Sequence, residues 1–309
     1  MRPQDALPSW ITNVLEIDKL SVSFQGTHEE YNIRREQARS IQHAKHSEYL
    51  KARDRQSDRK ASSHNDSLVP IVELNNVNVT SLDGKKILSN VDWIIHKGEK
   101  WGLTALRPNG SGKTTLLAIL VGDHPQAYSN PVRLFGHRRG EVGVSIWDIK
   151  DKIGFVSPEF HMHFTSRIAR GHIGESEKPA TTLFDAVCTG FRSGDNAALK
   201  LTQSQIDAAS RIIKEFGMVD VKDYPFAKLS MGEQRVGLIM RALVKKPQLV
   251  IMDEPFQGID EDTMTMLQAW MEREFENGQQ GLVFVSHHQE EMPRFLEKFI
   301  KLADGKRVE

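Results

Sequence analysis

The segment Pro108–Thr115, with the sequence PNGSGKTT, constrains the fold of this chain more than any other feature. The apolar stretch Trp101–Leu106, which predicts a strand, precedes it, and the apolar run TLLAILVG, typical of a helix, follows it. Small residues at such a bend let consecutive backbone N–H groups turn toward phosphate, and the helix N-terminus adds a favourable dipole. The order strand, glycine-rich loop, helix therefore predicts a phosphate-binding βα unit.

The residue types of this loop indicate which groups it binds. Lys113 supplies a positive charge to the β- and γ-phosphates of a nucleotide, and the Thr114 hydroxyl is placed to ligate Mg²⁺. Arg107 stands where the pattern GxxxxGK[ST] has its first glycine. Three interpretations of this departure stay open: the arginine strains or reshapes the loop, its guanidinium lies near phosphate, or the sequence itself contains an irregularity at this position. The predicted nucleotide-binding residues here are Arg107, Pro108, Asn109, Gly110, Ser111, Gly112, Lys113, Thr114 and Thr115.

Two adjacent carboxylates, Asp253 and Glu254, end an apolar strand in the segment VIMDEP. A carboxylate at the carboxyl end of a strand beside a phosphate loop can hold Mg²⁺ through water, and its neighbour can act as general base toward the attacking water. The same pair could simply end a strand at the surface. Combined with the phosphate loop, it predicts a metal role for Asp253 and a catalytic role for Glu254.

Hydrophobic patterning predicts an α/β fold with a phosphate-loop NTPase core. The runs QLVIM and GLVFV are apolar throughout, as expected for parallel strands covered on both faces. IVELNNVNV and ILSNVDWII, separated by an Asp83-Gly84 turn, predict an antiparallel part with the first of them at a sheet edge. Residues 181–243 have a mostly helical pattern, which predicts an inserted helical subdomain at about 160–245.

The distribution of charge divides the chain into a linker and a main domain, and the overall charge gives no support for nucleic-acid binding. Residues 28–67 are rich in charge, which favours a solvated helix and flexible tether over a basic docking face, and the main domain is predicted at 68–309. Lys plus Arg and Asp plus Glu both number 41, so no overall basic field supports nucleic-acid binding.

No targeting or membrane segment is recognisable in the sequence. The apolar runs are far shorter than the ~18 residues that a bilayer span needs. The N-terminal sequence MRPQDALPSW lacks the features of a secretory signal or a transit peptide, and a single cysteine, Cys188, fits a reducing compartment. The predicted location is cytoplasmic, with an organelle matrix or peripheral membrane association left open.

Three further motifs resemble those of ABC ATPases. LSMGEQR resembles the LSGGQ signature, and taken alone it is also a helix N-cap with Ser230 and Glu233 at capping-box spacing. FQGID, which contains Asp260, resembles the D-loop, and FVSHH, which contains His287, resembles the switch-histidine motif. The resemblance covers about Val69 to Lys301 and implies an ABC-type fold that binds ATP with Mg²⁺.

This resemblance also implies roles and partners. In the family two ATPase domains pack head to tail, which implies that Ser230 and Gly232 contact the γ-phosphate held by Lys113 of another domain. Glu233 is assigned to the same nucleotide-binding segment. Asp260 and His287 would then act together with Glu254 in catalysis. The implied partner is a second copy of the chain or a separate ABC ATPase domain.

Two places depart from the family pattern. Leu82 stands where the family usually has an aromatic residue that stacks on adenine, so only an apolar contact is implied there. Ser157, Pro158 and Glu159 stand where the family commonly has a glutamine that touches Mg²⁺ and couples to a membrane partner. The absence of this amide puts transport coupling in doubt.

A narrower resemblance concerns the cytosolic tandem ATPases of the ModF-like group. This resemblance rests on the segments GDHPQAYSNPVRLFGHRRG, SIWDIKDKIGFVSPE, LSMGEQR, RALVKKP and DEPFQGID. Residues 1–27 resemble the tail of a preceding ATPase domain, with Asn13 in place of a switch histidine. Three functions remain open: an ATP-driven dimerisation switch, the ATP-binding subunit of a transporter with separate membrane chains, and a degenerate ATP-binding module with little hydrolysis.

Overall fold

The computed structural model describes residues 10–18, 21–34, 70–105, 110–138, 140–171, 181–191, 200–276 and 278–308. The chain divides into two compact units, Met1–Ser67 and Leu68–Glu309. No helix within the described ranges combines the length and the hydropathy that crossing a membrane requires.

The first unit contains a β-hairpin followed by a helical turn. Strands β1 (Asn13–Asp18) and β2 (Ser21–Thr27) pair in antiparallel fashion, and residues 28–34 are helical. The rings of Phe24 and Tyr31 lie 5.5 Å apart, which joins the hairpin to this helix. Beyond residue 34 the predicted tether lies outside the described residues, and the origin of 1–27 as the tail of another domain stays a prediction.

A predominantly parallel sheet forms the centre of the second unit. Among the described residues its strand order is β12-β11-β5-β10-β9-β8, and only the pairing of β11 with β12 is antiparallel. Residues of β9 and β10 are buried throughout, which confirms the prediction that their unbroken apolar sequences form parallel strands covered on both faces. These strands are β5 (Lys100–Ala105), β8 (Ile153–Val156), β9 (Leu249–Asp253), β10 (Gly281–Val285), β11 (Lys298–Ala303) and β12 (Lys306–Arg307).

An antiparallel sheet with the order β4-β3-β6-β7 packs beside the parallel one. The prediction that the first strand of this part lies at a sheet edge is wrong, because β3 has β4 on one side and β6 on the other. The short strand β6 is the partner that the sequence did not reveal. The strands are β3 (Pro70–Thr80), β4 (Lys86–His96), β6 (Val132–Leu134) and β7 (His137–Arg138).

Helices cover the sheets and form a second apolar core. α1 follows the phosphate loop, and its apolar residues join both sheets in one buried cluster. α3 to α6 follow β8 and precede β9, and a separate cluster that includes Phe226 and Cys188 fills their interior. The helices are α1 (Lys113–Val121), α2 (Ile146–Asp151), α3 (Pro158–Gly171), α4 (Leu183–Cys188), α5 (Gln203–Glu215), α6 (Met231–Leu243) and α7 (Glu261–Phe275).

Candidate functional site

The carboxyl ends of adjacent parallel strands carry the predicted chemistry. β5 leads toward the phosphate loop, β9 ends in Asp253, and β10 leads to His287. β10 pairs with β5 on one side and with β9 on the other, and Val285 lies opposite Asp253. Because parallel strands end at the same edge of a sheet, these groups are brought to one place.

The phosphate loop is described from Gly110 onward. Arg107, Pro108 and Asn109 lie outside the described residues, so the effect of Arg107 on the loop stays a prediction. Gly110 and Gly112 have φ angles of 77° and 91°, in the left-handed region that residues with a Cβ rarely adopt. Glycine at these two positions is therefore what the bend into α1 requires.

Lys113 is the first residue of α1, and its side chain is buried. Its Nζ donates a hydrogen bond to Ser111 Oγ over 3.4 Å. Burial lowers the pKa of Lys113, whereas the negative charges of Asp253 and Glu254 act in the opposite direction. A buried ammonium group thus lies at the start of a helix and within the field of two carboxylates.

Asp253 is a buried carboxylate in a crowded electrostatic setting. Burial, together with the negative charges of Glu159 and Glu254, raises the pKa of Asp253 to about 7, although Lys113 and Arg235 oppose the increase. A strongly raised pKa in a group at the end of a parallel strand is typical of functional sites.

The oxygen donors of this site fit a Mg²⁺ ion. Thr114 is exposed in the first turn of α1, and Asp253 supplies a buried carboxylate with Glu159 and Glu254 as negatively charged neighbours. Hydroxyl and carboxylate oxygens are ligands that Mg²⁺ prefers, and a divalent cation would favour the ionised form of Asp253.

Glu254 follows directly in an unusual backbone conformation. Its φ of 46° lies in the left-handed region, and its N–H donates to the carbonyl of Val285 over 2.9 Å. The backbone N–H of His287 in turn donates to Glu254 Oε1 over 3.1 Å, and His287 Nε2 lies 3.5 Å from the same oxygen. The structure therefore brings together the predicted base and the predicted switch histidine.

A buried hydrogen bond supports the segment that carries His287. Ser286 Oγ donates to Glu291 Oε2 over 2.5 Å, and the N–H of His288 donates to Ser286 Oγ over 3.0 Å. Glu291 is buried and lies outside the motifs that the sequence analysis recognised. Its carboxylate holds the loop that follows β10 through the hydrogen bond from Ser286.

The segment LSMGEQR forms the N-terminus of α6 with Ser230 as its N-cap. Ser230 Oγ accepts from the N–H of Glu233, while the Glu233 carboxylate accepts from the N–H and the hydroxyl of Ser230. A Cβ added to Gly232 would lie 3.3 Å from the carbonyl oxygen of Gly258, so the first turn of α6 and the segment that precedes α7 approach closely. The capping interpretation of this motif is thus visible in the structure.

Asp260 and Leu82 have environments that bear on their predicted roles. Asp260 is the N-cap of α7 and accepts hydrogen bonds from the backbone and the hydroxyl of Thr263, at 2.9 and 2.7 Å. Leu82 lies in the β3–β4 turn and is fully exposed. The side chain of Leu82 is therefore accessible to a ligand.

The segment Ser157–Glu159, which departs from the family pattern, forms the start of α3. The buried Ser157 accepts the N–H of Phe160 at 3.0 Å, which caps the helix. One turn on, His161 Nε2 lies 2.9 Å from Gln234 Oε1, and Gln234 Nε2 donates to the carbonyl of Leu229 over 2.9 Å. This buried connection links α3 to the start of α6, and the motif LSMGEQR, which contains Gln234, did not predict it.

Comparisons with known proteins identify the family. The family model described as ABC transporter matches residues 88–257, from β4 past the acidic pair. The chain belongs to the ABC transporter family. It is 35% identical over 309 residues to an uncharacterized ABC transporter ATP-binding protein of Schizosaccharomyces pombe, an alignment that covers 100% of this chain and 57% of that protein.

A second relative agrees with this family, and a solved structure has a similar fold. The ABC transporter ATP-binding protein ModF of Escherichia coli is 37% identical over 231 residues, which cover 72% of this chain and 42% of ModF. A dimeric ATP-binding cassette in a post-hydrolysis state with ADP and Pi matches with a TM-score of 0.57 and 24% identity, over 77% of this chain and 97% of that one. The chain spans about half the length of the curated relatives it matches.

The family assignment confirms the resemblance to ABC ATPases and the predicted α/β phosphate-loop fold. The roles of individual residues in this ABC ATPase domain stay predictions. Three groups to which the motifs assigned no role also contribute to the site's framework: Glu291, His161 and Gln234. Glu291 and His161 lie outside the motifs, whereas Gln234 belongs to LSMGEQR.

Proposed function

We propose that this ABC ATPase domain binds MgATP and hydrolyses it, with Glu254 as the general base. The observation that carries the proposal is the convergence of Lys113, Asp253, Glu254 and His287 at one edge of the parallel sheet. This arrangement supplies a cation for phosphate, oxygen ligands for a metal ion and a carboxylate placed to accept a proton.

Each residue has a distinct task in the proposed reaction. The N–H groups of the loop Gly110–Gly112 and the Lys113 ammonium hold the phosphates. Thr114 and Asp253 would hold Mg²⁺, which when bound neutralises charge on the phosphate oxygens. Glu254, fixed by the N–H of His287, removes the proton from the attacking water, and the His287 ring lies close enough to orient the same group.

The proposal includes a head-to-tail pairing of two ATPase domains. The N-terminus of α6 carries Ser230 and Met231 at the surface, where the positive end of a helix can accept an anion. The dimeric cassette with ADP and Pi shows that domains of this fold pair. A second copy of this chain, or a separate ABC ATPase domain, would complete the site by placing its Ser230 and Gly232 at the γ-phosphate.

The decisive experiment compares the wild-type chain with Glu254→Gln. Glutamine keeps an oxygen that can accept the His287 N–H but cannot take up a proton from water. We expect the variant to bind MgATP, to accumulate as an ATP-bound dimer in size-exclusion chromatography with light scattering, and to lose steady-state phosphate release. Equal and negligible hydrolysis by both proteins would reject the catalytic proposal and favour an ATP-binding module without turnover.

A second candidate function is that of the ATP-binding subunit of a transporter with separate membrane chains. The descriptions of the relatives as ABC transporter ATP-binding proteins favour it. The sequence Ser157-Pro158-Glu159, which lacks the family's coupling amide, favours a dimerisation switch instead. Affinity capture of the full chain from detergent-solubilised membranes separates the two, because a transporter subunit would recover a multi-span protein in stoichiometric amount.

A further inference from the structure

The turn between β11 and β12 contacts the phosphate loop through its backbone. Gly305, at the tip of this hairpin, donates its N–H to the carbonyl of Ser111 over 3.3 Å. On its other side, the carbonyl of Gly305 accepts the N–H of Ser89 in β4 over 2.8 Å. One residue therefore connects the antiparallel sheet to the loop that immediately precedes Lys113.

The three backbone segments approach so closely that a side chain does not fit between them. A Cβ on Gly305 would lie 2.1 Å from the carbonyl oxygen of Ile87 and 3.3 Å from the Cα of Leu88. A Cβ on Gly112 would lie 3.6 Å from the Cα of Gly305 and 2.7 Å from the side chain of Leu88. Two glycines thus face each other across this junction, both with positive φ.

The junction determines where the loop backbone lies. Ser111 is buried, and its carbonyl is the group that Gly305 engages. Phosphate binding by this loop depends on the direction of successive backbone N–H groups, and a shift of a few tenths of an ångström at Ser111 and Gly112 passes directly to Lys113. The hairpin is also held by pairing of β11 with β5, the strand that leads into the loop, so it forms a rigid support.

We propose that the β11–β12 turn positions the phosphate loop for nucleotide binding, with Gly305 as the positioning residue. This inference rests on the proposed function, since it concerns the same MgATP site. It gives a role at that site to a turn that lies nearly the whole length of the domain away in sequence.

The test compares Gly305→Ala with Gly136→Ala in the full chain. Both glycines have similar φ angles, 76° and 81°, but a Cβ on Gly136 would meet no atom within 4 Å. The two variants share the backbone strain and differ in crowding, because only the Cβ on Gly305 would press against the β4 backbone at Ile87 and Leu88, beside the phosphate loop. We measure binding of a fluorescent ATP analogue with Mg²⁺, thermal unfolding without nucleotide, and the KM and kcat of ATP hydrolysis.

We expect Gly305→Ala to weaken nucleotide binding about tenfold or more and to raise KM similarly, with kcat at saturating ATP much less affected. Gly136→Ala should bind nucleotide as the wild type does. If Gly305→Ala lowers the unfolding temperature while its dissociation constant stays at the wild-type value, the turn is merely structural and the inference is wrong.

A measurement on the wild-type chain covers the case in which Gly305→Ala does not fold. Hydrogen–deuterium exchange with and without MgATP should show protection in peptides from both 110–115 and 298–308. Protection of the first peptide alone would contradict the inference and leave the proposed function intact. Failure of the wild-type chain to bind MgATP would reject the proposed function and, with it, this inference.

Discussion

The carboxylate of Glu254 is fixed by the backbone of His287 and not only by its ring. The N–H of His287 donates to Glu254 Oε1 over 3.1 Å, while the ring nitrogen Nε2 lies 3.5 Å from that oxygen. The N–H of Glu254 is itself bonded to Val285 on the neighbouring strand. The orientation of the Glu254 carboxylate is thus set by backbone groups at the ends of β9 and β10. The imidazole ring of His287 is therefore available to take part in the reaction.

Replacing His287 by alanine should therefore separate catalysis from structure. His287→Ala keeps the backbone donor to Glu254, so we expect nearly unchanged stability and MgATP affinity. Loss of the ring that helps to orient the Glu254 carboxylate should lower the rate of phosphate release by about 100-fold. His288→Ala, one residue further along the same loop, is the matched control and should hydrolyse ATP at close to the wild-type rate. Similar rates for the two variants would show that the ring of His287 has no special role.

The sequence predicted the parts of the site that depend on local pattern. One such pattern is PNGSGKTT between a strand and a helix. Another is the pair of unbroken apolar strands, one of which ends in Asp253. Each is a feature of a short segment, and the structure contains both. The interior position of β3, the bond from Gly305 to Ser111 and the contact of His161 with Gln234 join segments far apart in sequence. No local pattern encodes such tertiary contacts, so they could not be predicted.

The hydrogen bonds of Glu99 predict that the folded chain loses stability at acid pH. The partly buried carboxylate of Glu99 accepts hydrogen bonds from Lys298 Nζ at 2.5 Å, Trp101 Nε1 at 2.9 Å and the N–H of His96 at 2.9 Å. Burial raises the pKa of Glu99, but these bonds and one from the His96 ring outweigh it and lower the pKa to about 2. Because the folded pKa is below the unfolded value, the stabilisation is complete above pH 4.5 and disappears as the pH falls toward 2.

We expect Glu99→Gln to lower the free energy of unfolding at pH 7 by about 1–2 kcal/mol, less than the full pKa shift implies because solvent screens this partly buried carboxylate. The difference between wild type and variant should shrink as the pH falls from 4.5 to 2, since the wild-type carboxylate is then protonated as well. Urea unfolding followed by circular dichroism over this pH range measures it. Trp101→Phe, which removes one of the donors, should have a smaller effect of the same sign. A constant difference at every pH would show that Glu99 acts through packing alone.

The buried pair of His161 and Gln234 predicts a coupling energy between α3 and α6. Since Gln234 Nε2 donates to Leu229, its Oε1 is left to accept the Nε2–H of His161. Either His161→Leu or Gln234→Leu should cost about 1–3 kcal/mol of stability, because each leaves a buried polar partner unsatisfied. The double variant should lose less than the sum of the two, with an interaction energy of about 1 kcal/mol in a double-mutant cycle of urea unfolding. Strict additivity would mean that the contact contributes nothing.

Asp260 allows the helix-capping role and the proposed D-loop role to be measured separately. Its carboxylate accepts the backbone N–H of Thr263, the N-cap interaction that begins α7. Asparagine is as good an N-cap as aspartate, whereas alanine is not. Asp260→Asn should therefore unfold like the wild type, and Asp260→Ala should lose about 1 kcal/mol. If the charge of Asp260 takes part in the reaction, Asp260→Asn should also lower ATP turnover despite its intact fold. Wild-type turnover in Asp260→Asn, together with reduced stability in Asp260→Ala, would make Asp260 a helix cap with no part in catalysis.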